Sequence, residues 1–415
     1  MDEKATPEAE AARRLLSATA VRERANMIFE AGLAGKLGHF AIDLGQLAHA
    51  AEEVVATIRA DYPDLHVPYH SRWRHFEAGG LDRWGTLDQA APWADPASRA
   101  RAACDLAIVS VLLDAGAGSA WSYEEGRTGE TFARSEGLAV ASLDMFIGGA
   151  FSARPEDPFR ADGSALEGLD ILELTRGFQV SPANPLVGLE GRTALLNRLG
   201  AVVEDSPEIF GLADDPRPGG LFDLLARQAE NGRLRAPAVL EAILIHLGPV
   251  WPGRLTLGGV ELGDTWRHPA ARTDDEASEI VPFHKLSQWL TYSLIEPLEW
   301  AGIQVIDLDG LTGLPEYRNG GLFVDTGVLR LRNDADLTRA HPVDSPLVVE
   351  WRALTVVLLD RIAVEIRGKL GLDPASFPLA KVLEGGTWAT GRRLARARRP
   401  GGEPPIQVMS DGTVF

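Results

Sequence analysis

The densest group of side chains that could bind a ligand lies between His70 and Phe76. Two imidazoles, two guanidinium groups and two aromatic rings occur together there: His70, Arg72, Trp73, Arg74, His75 and Phe76. Arginine offers paired donors to a carboxylate or phosphate, and tryptophan offers a flat face to a ring or base. The segment is predicted to be a ligand-binding loop. The alternative is a helix start whose arginines pair with the surplus of acidic residues.

Metal ligation is not expected from the histidine and aspartate patterns. His66 and His70 have a spacing seen in metal sites, but Pro68 between them breaks the helix that would align the rings. Asp307 and Asp309 resemble a cation loop in composition, yet two carboxylates without further ligands make a weak site. We therefore expect no metal and no other cofactor.

A glycine-containing segment, Leu112–Gly118, follows an apolar run. It is similar to the glycine loop of a doubly wound nucleotide-binding fold, notably that of methyltransferases. The third glycine of the dinucleotide fingerprint is absent, Trp121 follows instead, and the preceding residues look helical. The alternative is a helix that ends at Gly116 and leaves Asp114 near an apolar pocket, as a hydrogen-bonding hub or as an acid of the site.

The loop 314–321 places Glu316, Tyr317 and Arg318 before a Gly-Gly pair. Glycine lets a backbone approach a ligand closely, so this loop is a candidate binding element. An ordinary turn with a Glu–Arg surface pair is the alternative.

Charged residues open two of the predicted helices. Lys285, near the start of the helix 282–301, is placed to reach a phosphate or carboxylate. Glu350 and Arg352 open the helix 346–370, where Glu350 either stabilises the helix N-terminus or pairs inward with Arg352. A basic helix end follows later, either as a solvated face or as a site for an anionic substrate group; it comprises Arg392, Arg393, Arg396, Arg398 and Arg399.

Apolar spacing predicts a mainly α fold with a few short strands. The clearest helix is 346–370, with Ser345 as N-cap, Pro346 at its first position, and Gly368 and Gly371 at its end. Further helices are predicted in 41–60, 97–113, 137–147, 192–200, 238–247 and 282–301, the last with a kink at Pro297. Extended segments are predicted in 303–309 and 321–332, and loops in 151–168 and 205–220. We expect one large domain, with the site between lobes of about 1–165 and 166–415.

Composition excludes several classes of function. The 415 residues contain 41 Lys and Arg against 59 Asp and Glu, a formal net charge of −18. Such a charge repels nucleic-acid backbones and anionic lipid surfaces, so neither partner is expected. Cys104 alone forms no internal disulfide. No uninterrupted apolar stretch reaches membrane-spanning length and no secretory signal is visible, so a cytoplasmic protein is expected.

Several strings resemble a family of fungal and bacterial uracil-catabolism proteins that was long described as a domain of unknown function. They are HVPYHSRWRHFEAGGLDRW, LLDAGAGSAWSYEE, RSEGLAVASLDMFIGGAFS, LPEYRNGGLFVDTGVL and PPIQVMSDGTVF. The resemblance implies a route that opens the pyrimidine ring at the nucleotide level and passes through ribosylurea. Release of urea from the sugar is a step that this route requires.

A more distant resemblance concerns the order FHKLSQWL, LPEYRNGGL and VEWRALTVVLLDRI. It is similar to the order K-x-x-Q, A-D-Y-R-x-P and E-I-R of queuosine-nucleoside salvage hydrolases, which are N-glycoside hydrolases with a helical architecture similar to DNA glycosylases. The positions that match are Lys285, Gln288, Glu316, Tyr317, Arg318, Glu350 and Arg352. Glu316 stands where aspartate is usual, and Asn319-Gly320-Gly321 replaces a proline-containing turn. Asp114 and Trp121 overlie that family's base-stacking segment.

Together the resemblances imply an N-ribosyl hydrolase that acts on a small ribosyl substrate. Glu316 is the first candidate for the catalytic carboxylate and Asp114 the second. Substrate contacts are expected from His70, Arg72, Trp73, Arg74, His75, Trp121, Lys285, Gln288, Tyr317, Arg318, Glu350 and Arg352. Within that set, Glu350 and Arg352 would orient the site, and a ribose phosphate would bind Lys285, Arg318, Arg72 or Arg74. The alternatives are an S-adenosylmethionine-dependent methyltransferase and a non-enzymatic partner of other pathway proteins.

Overall fold

The structure is a computed structural model that describes residues 6–114, 116–211, 216–251 and 254–409. It confirms a mainly helical protein with short strands. The helices are α1 (Pro7–Leu15), α2 (Ala18–Leu33), α3 (Leu47–Asp61), α4 (Arg72–Phe76), α5 (Arg83–Ala90), α6 (Pro96–Leu112), α7 (Arg134–Ile147), α8 (Gly163–Glu167), α9 (Ile171–Gly177), α10 (Leu189–Asp205), α11 (Pro207–Phe210), α12 (Leu221–Gln228), α13 (Ala236–His246), α14 (Lys285–Trp300), α15 (Tyr317–Asp325), α16 (Pro346–Leu370), α17 (Leu379–Val382) and α18 (Ala389–Arg398).

The strands in the described residues pair two by two and build no larger sheet. They are β1 (Phe40–Ile42), β2 (Ser122–Glu124), β3 (Thr131–Ala133), β4 (Arg233–Arg235), β5 (Thr256–Leu257), β6 (Val260–Glu261), β7 (Thr265–Arg267), β8 (Ile280–Pro282), β9 (Gln304–Ile306), β10 (Leu329–Leu331), β11 (Ala340–Pro342) and β12 (Gln407–Met409). The pairs are β1–β10, β2–β3, β5–β6 and β7–β8, which are antiparallel, and β4–β9 and β11–β12, which are parallel.

The methyltransferase-like interpretation of Leu112–Gly118 does not match this fold. The segment follows helix α6, whereas a nucleotide-binding glycine loop follows a strand of a parallel sheet. The described strands form only two-stranded pairs. Ala115, inside this segment, lies outside the described residues.

Helix α16 confirms the sequence prediction at both ends. Ser345 Oγ accepts a hydrogen bond from the Val348 amide, Pro346 is the first helical residue, and Gly371 ends the helix with a φ of 70°. The helix packs against α2, α3 and α15. Most of its residues are buried, which explains a near-continuous apolar sequence rather than a narrow apolar stripe.

Helices α6 and α14 pack against each other. Asp114 follows the end of α6, and Lys285 is the first residue of α14. Asp95 starts α6 by accepting the Ser98 amide, while the Ser98 hydroxyl bonds back to the Asp95 backbone. Helix α14 contains Pro297 in its last turn and continues past it to Trp300.

Two local predictions were wrong. Residues 321–325 belong to helix α15 rather than to an extended segment, because Gly320 packs against α16, where an added Cβ would lie 2.7 Å from the Trp351 ring. The predicted loops 151–168 and 205–220 contain the short helices α8 and α11; residues 212–215 lie outside the described chain.

The buried apolar residues form one cluster that extends from Ala11 to Ile406. Among the described helices, none is long and apolar enough to cross a membrane.

Candidate active site

A cavity of about 280 Å³ lies where α4, the end of α6, the start of α7, α14 and the loop before α15 meet. That volume suits a small metabolite. Its lining comprises His70, His75, Asp114, Gly116, Ala117, Gly118, Ser119, Arg134, Ser135, Lys285, Trp289, Leu314, Glu316, Tyr317 and Trp388. The structure thus brings together six of the predicted residues from four distant parts of the sequence: His70, His75, Asp114, Lys285, Glu316 and Tyr317.

Glu316 caps helix α15 with its side chain. Its Oε2 accepts the Arg318 amide at 2.7 Å and its Oε1 accepts the Asn319 amide at 2.6 Å. The residue is only 8% exposed, and burial raises the pKa of Glu316, whereas the two amides and Lys285 act to lower it. Each carboxylate oxygen accepts more than one hydrogen bond, so capping leaves acceptor capacity toward a ligand. The result is a rigidly held carboxylate in the cavity wall.

Asp114 follows the end of α6 and is held by two residues. Arg72 Nη1 lies 3.2 Å from Asp114 Oδ1, and the Ser135 hydroxyl donates to Oδ2 at 3.2 Å. The Arg72 guanidinium is fully buried and also donates to Ser110 Oγ at 2.7 Å and to the Ser135 carbonyl at 3.2 Å. Arg72 therefore stands behind the cavity wall and orients Asp114.

Lys285 supplies a cation to the same cavity. Burial lowers the pKa of Lys285, and the negative charges of Glu316 and Asp114 act in the opposite direction. Among the described residues, no carboxylate lies within 4.0 Å of the Lys285 ammonium, so it forms no direct ion pair with either acid in this part of the chain. A cation held in the field of two carboxylates is available to a polar ligand group.

Asp264 connects the positions of Lys285 and Glu316. Its Oδ2 accepts the Lys285 amide at 3.0 Å, which fixes the start of α14. Both of its oxygens accept from Arg352, whose Nε also donates to the Pro315 carbonyl beside Glu316. Although burial opposes it, Arg352 holds the pKa of Asp264 below its usual range. The sequence analysis missed Asp264, since a lone Asp after a glycine is a common turn pattern.

Aromatic rings cover another wall of the cavity. The His75 ring contacts Trp289 with ring centroids 5.6 Å apart, and His70 contacts Trp388 at 6.0 Å. His70 Nδ1 lies 2.6 Å from Glu384 Oε2. Burial and then the Arg72 charge lower the pKa of His75 to about 4, so its imidazole is neutral near pH 7. Flat apolar faces of this kind suit a planar group.

Trp388 and Glu384 were also missed by the sequence analysis. Both belong to a π-helical turn, Leu383–Trp388, which joins α17 to α18. The signal lies in Gly385-Gly386, where an added Cβ would come within 2.8 Å of Val67 or Val54. π-helical turns occur frequently at functional sites, so this turn is consistent with a part in the site.

Three predicted ligand residues lie in the core instead of lining the cavity. Trp73 packs with Phe76, Trp84 and Trp300, and its indole N–H donates to the Ser293 carbonyl at 2.8 Å. The Trp121 indole donates to the Phe178 carbonyl at 2.9 Å. The Gln288 amide oxygen accepts the Thr312 amide at 2.8 Å, which supports the loop before Glu316.

Two predicted arginines also point away from this cavity. Arg74 pairs with Glu296 at 2.7 Å and lines a neighbouring groove. Arg318 Nη1 donates to the Gly402 carbonyl at 2.7 Å, while its guanidinium lies over the Tyr317 ring at 4.9 Å. For Arg72 and Arg74, the helix-start alternative of the sequence analysis describes the observed contacts.

Glu350 and Arg352 bind different partners, so the structure does not show the inward pair that was one of the two alternatives in the sequence analysis. Residues two apart on a helix point in different directions. Glu350 accepts the amides of Gly38 and His39, each at 3.1 Å, and lines a separate cavity. Arg352 binds Asp264 instead, so only Arg352 supports the site.

Fold and site together define a mainly helical protein with a cavity lined by carboxylates and aromatic rings. The chain belongs to the family described as "Protein of unknown function (DUF1688)", which matches residues 14–415. It is 39% identical to "Protein urg3" of Schizosaccharomyces pombe over 417 positions, which cover 97% of this chain and 98% of that protein. It is 38% identical to "Uracil catabolism protein 4" of Lachancea kluyveri over 435 positions, which cover 96% of this chain and 98% of that protein. The resemblance to the uracil-catabolism family that was drawn from the sequence is confirmed.

Proposed function

We propose that this protein is an N-ribosyl hydrolase of uracil breakdown that releases urea from ribosylurea or its phosphate. The observation that carries the proposal is the convergence of Glu316, Asp114 and Lys285 in one aromatic-walled cavity. The name of the Lachancea kluyveri relative, which aligns over nearly its whole length, supports the pathway.

Cleavage of an N-ribosyl bond develops positive charge on C1′ and on the ring oxygen. A carboxylate about 4 Å from this charge contributes roughly 4 kcal/mol at an effective dielectric constant of about 20. Enzymes lower barriers by about 8–23 kcal/mol, so this is a substantial part. Glu316 is suited to the role because its two amide contacts hold its carboxylate in place before the reaction begins.

Asp114 is suited to orient and deprotonate the attacking water. In the proposed step Asp114 takes a proton from the water, the water oxygen bonds to C1′, and the C1′–N bond breaks with its electron pair going to the urea nitrogen. The proton held by Asp114 then passes to that nitrogen, so urea leaves neutral and Asp114 is again a carboxylate. The Lys285 ammonium would donate a hydrogen bond to the urea oxygen as negative charge develops on the leaving group. Trp289 and Trp388 would pack against the planar urea.

The more distant resemblance, to queuosine-nucleoside hydrolases with an architecture similar to DNA glycosylases, belongs to the same proposal. Of its motif positions, Lys285, Glu316 and Tyr317 line the cavity, and Arg352 supports it through Asp264. Glu350 lies elsewhere, so the third motif would act through Arg352.

The test is to incubate the purified full chain with ribosylurea or ribosylurea 5′-phosphate and to measure free urea. Release of urea together with ribose or ribose 5-phosphate in equal amounts is the expected result. No urea from either compound, with the fold intact by circular dichroism, would refute the proposal. A stable complex with other proteins of the route and no turnover would favour the non-enzymatic alternative.

A further inference from the structure

A second groove of about 540 Å³ opens beside the cavity and shares His70, His75, Arg134 and Trp388 with it. A molecule that extends from the cavity into the groove would therefore contact these four shared residues. The groove is rich in arginine, with Arg74, Arg134, Arg392 and Arg396 in its lining.

Three of these arginines are crowded together. Arg392 and Arg396 lie one turn apart on α18, a spacing at which like charges repel, and Arg134 adds a third guanidinium from the start of α7. The repulsion from Arg392 and Arg134 lowers the pKa of Arg396. Crowded cations are unexpected in a chain with a net charge of −18 unless an anion binds there.

The acidic groups of the groove neutralise only part of this cluster. Glu136 pairs with Arg392 Nη1 at 2.8 Å, and Glu384 pairs with His70. The side chains of Arg134 and Arg396 form no hydrogen bond or ion pair with any described residue, and the buried Arg392 Nε has no hydrogen-bond partner among them. Donors therefore remain available on all three guanidinium groups.

The backbone at Arg134 adds to the positive potential. Arg134 begins the 14-residue helix α7, whose N-cap residue Ala133 makes no side-chain capping bond, and both residues line the groove, so the positive end of the helix dipole lies at its wall. Arg134 also has a φ of 57°, a conformation that non-glycine residues seldom adopt. The Arg134 residue and the start of α7 therefore lie together in the lining of the groove.

We propose that the groove binds the phosphate monoester of the substrate while the ribosyl and urea groups occupy the neighbouring cavity. This inference rests on the proposed function and names its substrate as ribosylurea 5′-phosphate. It assigns the phosphate to Arg134, Arg392 and Arg396. Arg72 and Arg318, candidates from the sequence, are engaged with Asp114 and Gly402, and Arg74 is paired with Glu296.

Binding tests this inference independently of turnover. Calorimetric titration of the full chain with ribose 5-phosphate, ribose and inorganic phosphate should show tightest binding for ribose 5-phosphate. Arg396→Gln and Arg134→Gln should weaken that binding by about 10- to 100-fold, the worth of one charge-assisted contact. The matched control is Arg393→Gln on the same helix, because Arg393 pairs with Glu53 and lies outside the groove.

Catalysis supplies the second measurement. Arg396→Gln should raise KM for ribosylurea 5′-phosphate and leave turnover of ribosylurea unchanged, because Arg396 lines the groove and is not part of the cavity lining. Equal affinity of wild type and variants for ribose 5-phosphate would overturn the inference even if urea is released. Arginine-dependent binding of ribose 5-phosphate without any urea release would support the anion site and refute only the hydrolase. Binding of inorganic phosphate as tight as that of ribose 5-phosphate would overturn the link to a sugar phosphate.

Discussion

Arg72 Nη1 lies 3.2 Å from Asp114 Oδ1, and this ion pair joins helix α4 to the segment that follows α6. The arginine is fully buried, whereas the aspartate side chain keeps a tenth of its surface open to the cavity. A cation without access to solvent therefore positions an anion that a ligand can reach.

Removal of the buried cation should cost much stability. Arg72→Met leaves the Asp114 carboxylate without its counter-charge, so we expect the free energy of unfolding to fall by about 3–5 kcal/mol. Chemical denaturation measures this change. The exposed pair Arg235–Asp307 is the control, and Arg235→Met should cost less than about 1 kcal/mol. Equal costs for the two variants would contradict the structural role of Arg72.

Removal of the Glu316 charge should reduce turnover far more than stability. Glu316→Gln keeps one of the two oxygens that cap α15 and loses the negative charge near C1′. We expect kcat for urea release to fall by about 10³-fold, which corresponds to the roughly 4 kcal/mol of charge stabilisation. Glu365→Gln, exposed on α16, is the matched control. Full turnover in Glu316→Gln would exclude Glu316 as the catalytic carboxylate.

The rate should follow a bell-shaped pH profile that is narrower than the ordinary pKa values of glutamate and lysine would give. Burial raises the pKa of Glu316 and lowers that of Lys285. If the reaction needs ionised Glu316 and protonated Lys285, the midpoint of the acid limb lies above pH 4.5. The midpoint of the alkaline limb then lies below pH 10.5. A profile of kcat/KM from pH 4 to 11 measures both limbs. An acid limb at or below 4.5 would contradict the assignment, and Lys285→Arg should move only the alkaline limb.

His75 should remain neutral throughout the physiological range. Its folded-state pKa is about 4 against an ordinary 6.5, so the unfolded chain binds the proton more tightly. The group therefore contributes stability that is present above pH 6.5 and is lost as the pH falls toward 4. Nuclear magnetic resonance of the ring should show no titration between pH 5.5 and 8, and His75→Gln should make the acid loss of stability shallower. A midpoint near 6.5 would contradict the burial argument.

Two glycine substitutions should act in opposite directions. A Cβ on Gly391 would clash with the Arg318 carbonyl, so Gly391→Ala should push α18 away from α15, lower the melting temperature and displace Glu316. Gly368 lies inside helix α16, and an added Cβ would meet no other element among the described residues, so Gly368→Ala should stabilise the protein by about 0.5–1 kcal/mol. Thermal unfolding measures both, and a neutral Gly391→Ala would contradict the close packing of α15 and α18.

Local chemistry in the sequence was sufficient to place several helices, whereas the family was recognised from the resemblance of whole sequence strings. Ser345, Pro346 and Gly371 bound α16 because caps and fixed backbone angles act over a few residues. The same kind of argument was insufficient for 321–325, where the preceding Gly320 serves close packing of helix α15 against α16 rather than a turn.

The sequence by itself determined which residue types were available for chemistry, among them Asp114, Lys285 and Glu316. Only the tertiary structure decided that these three share one cavity, that Arg352 binds Asp264 rather than Glu350, and that Trp73 belongs to the core. The physical reason is that the partner of a buried charge or ring comes from the packing of helices distant along the chain. The spacing of residues within one helix does not specify which distant helix its side chains will meet.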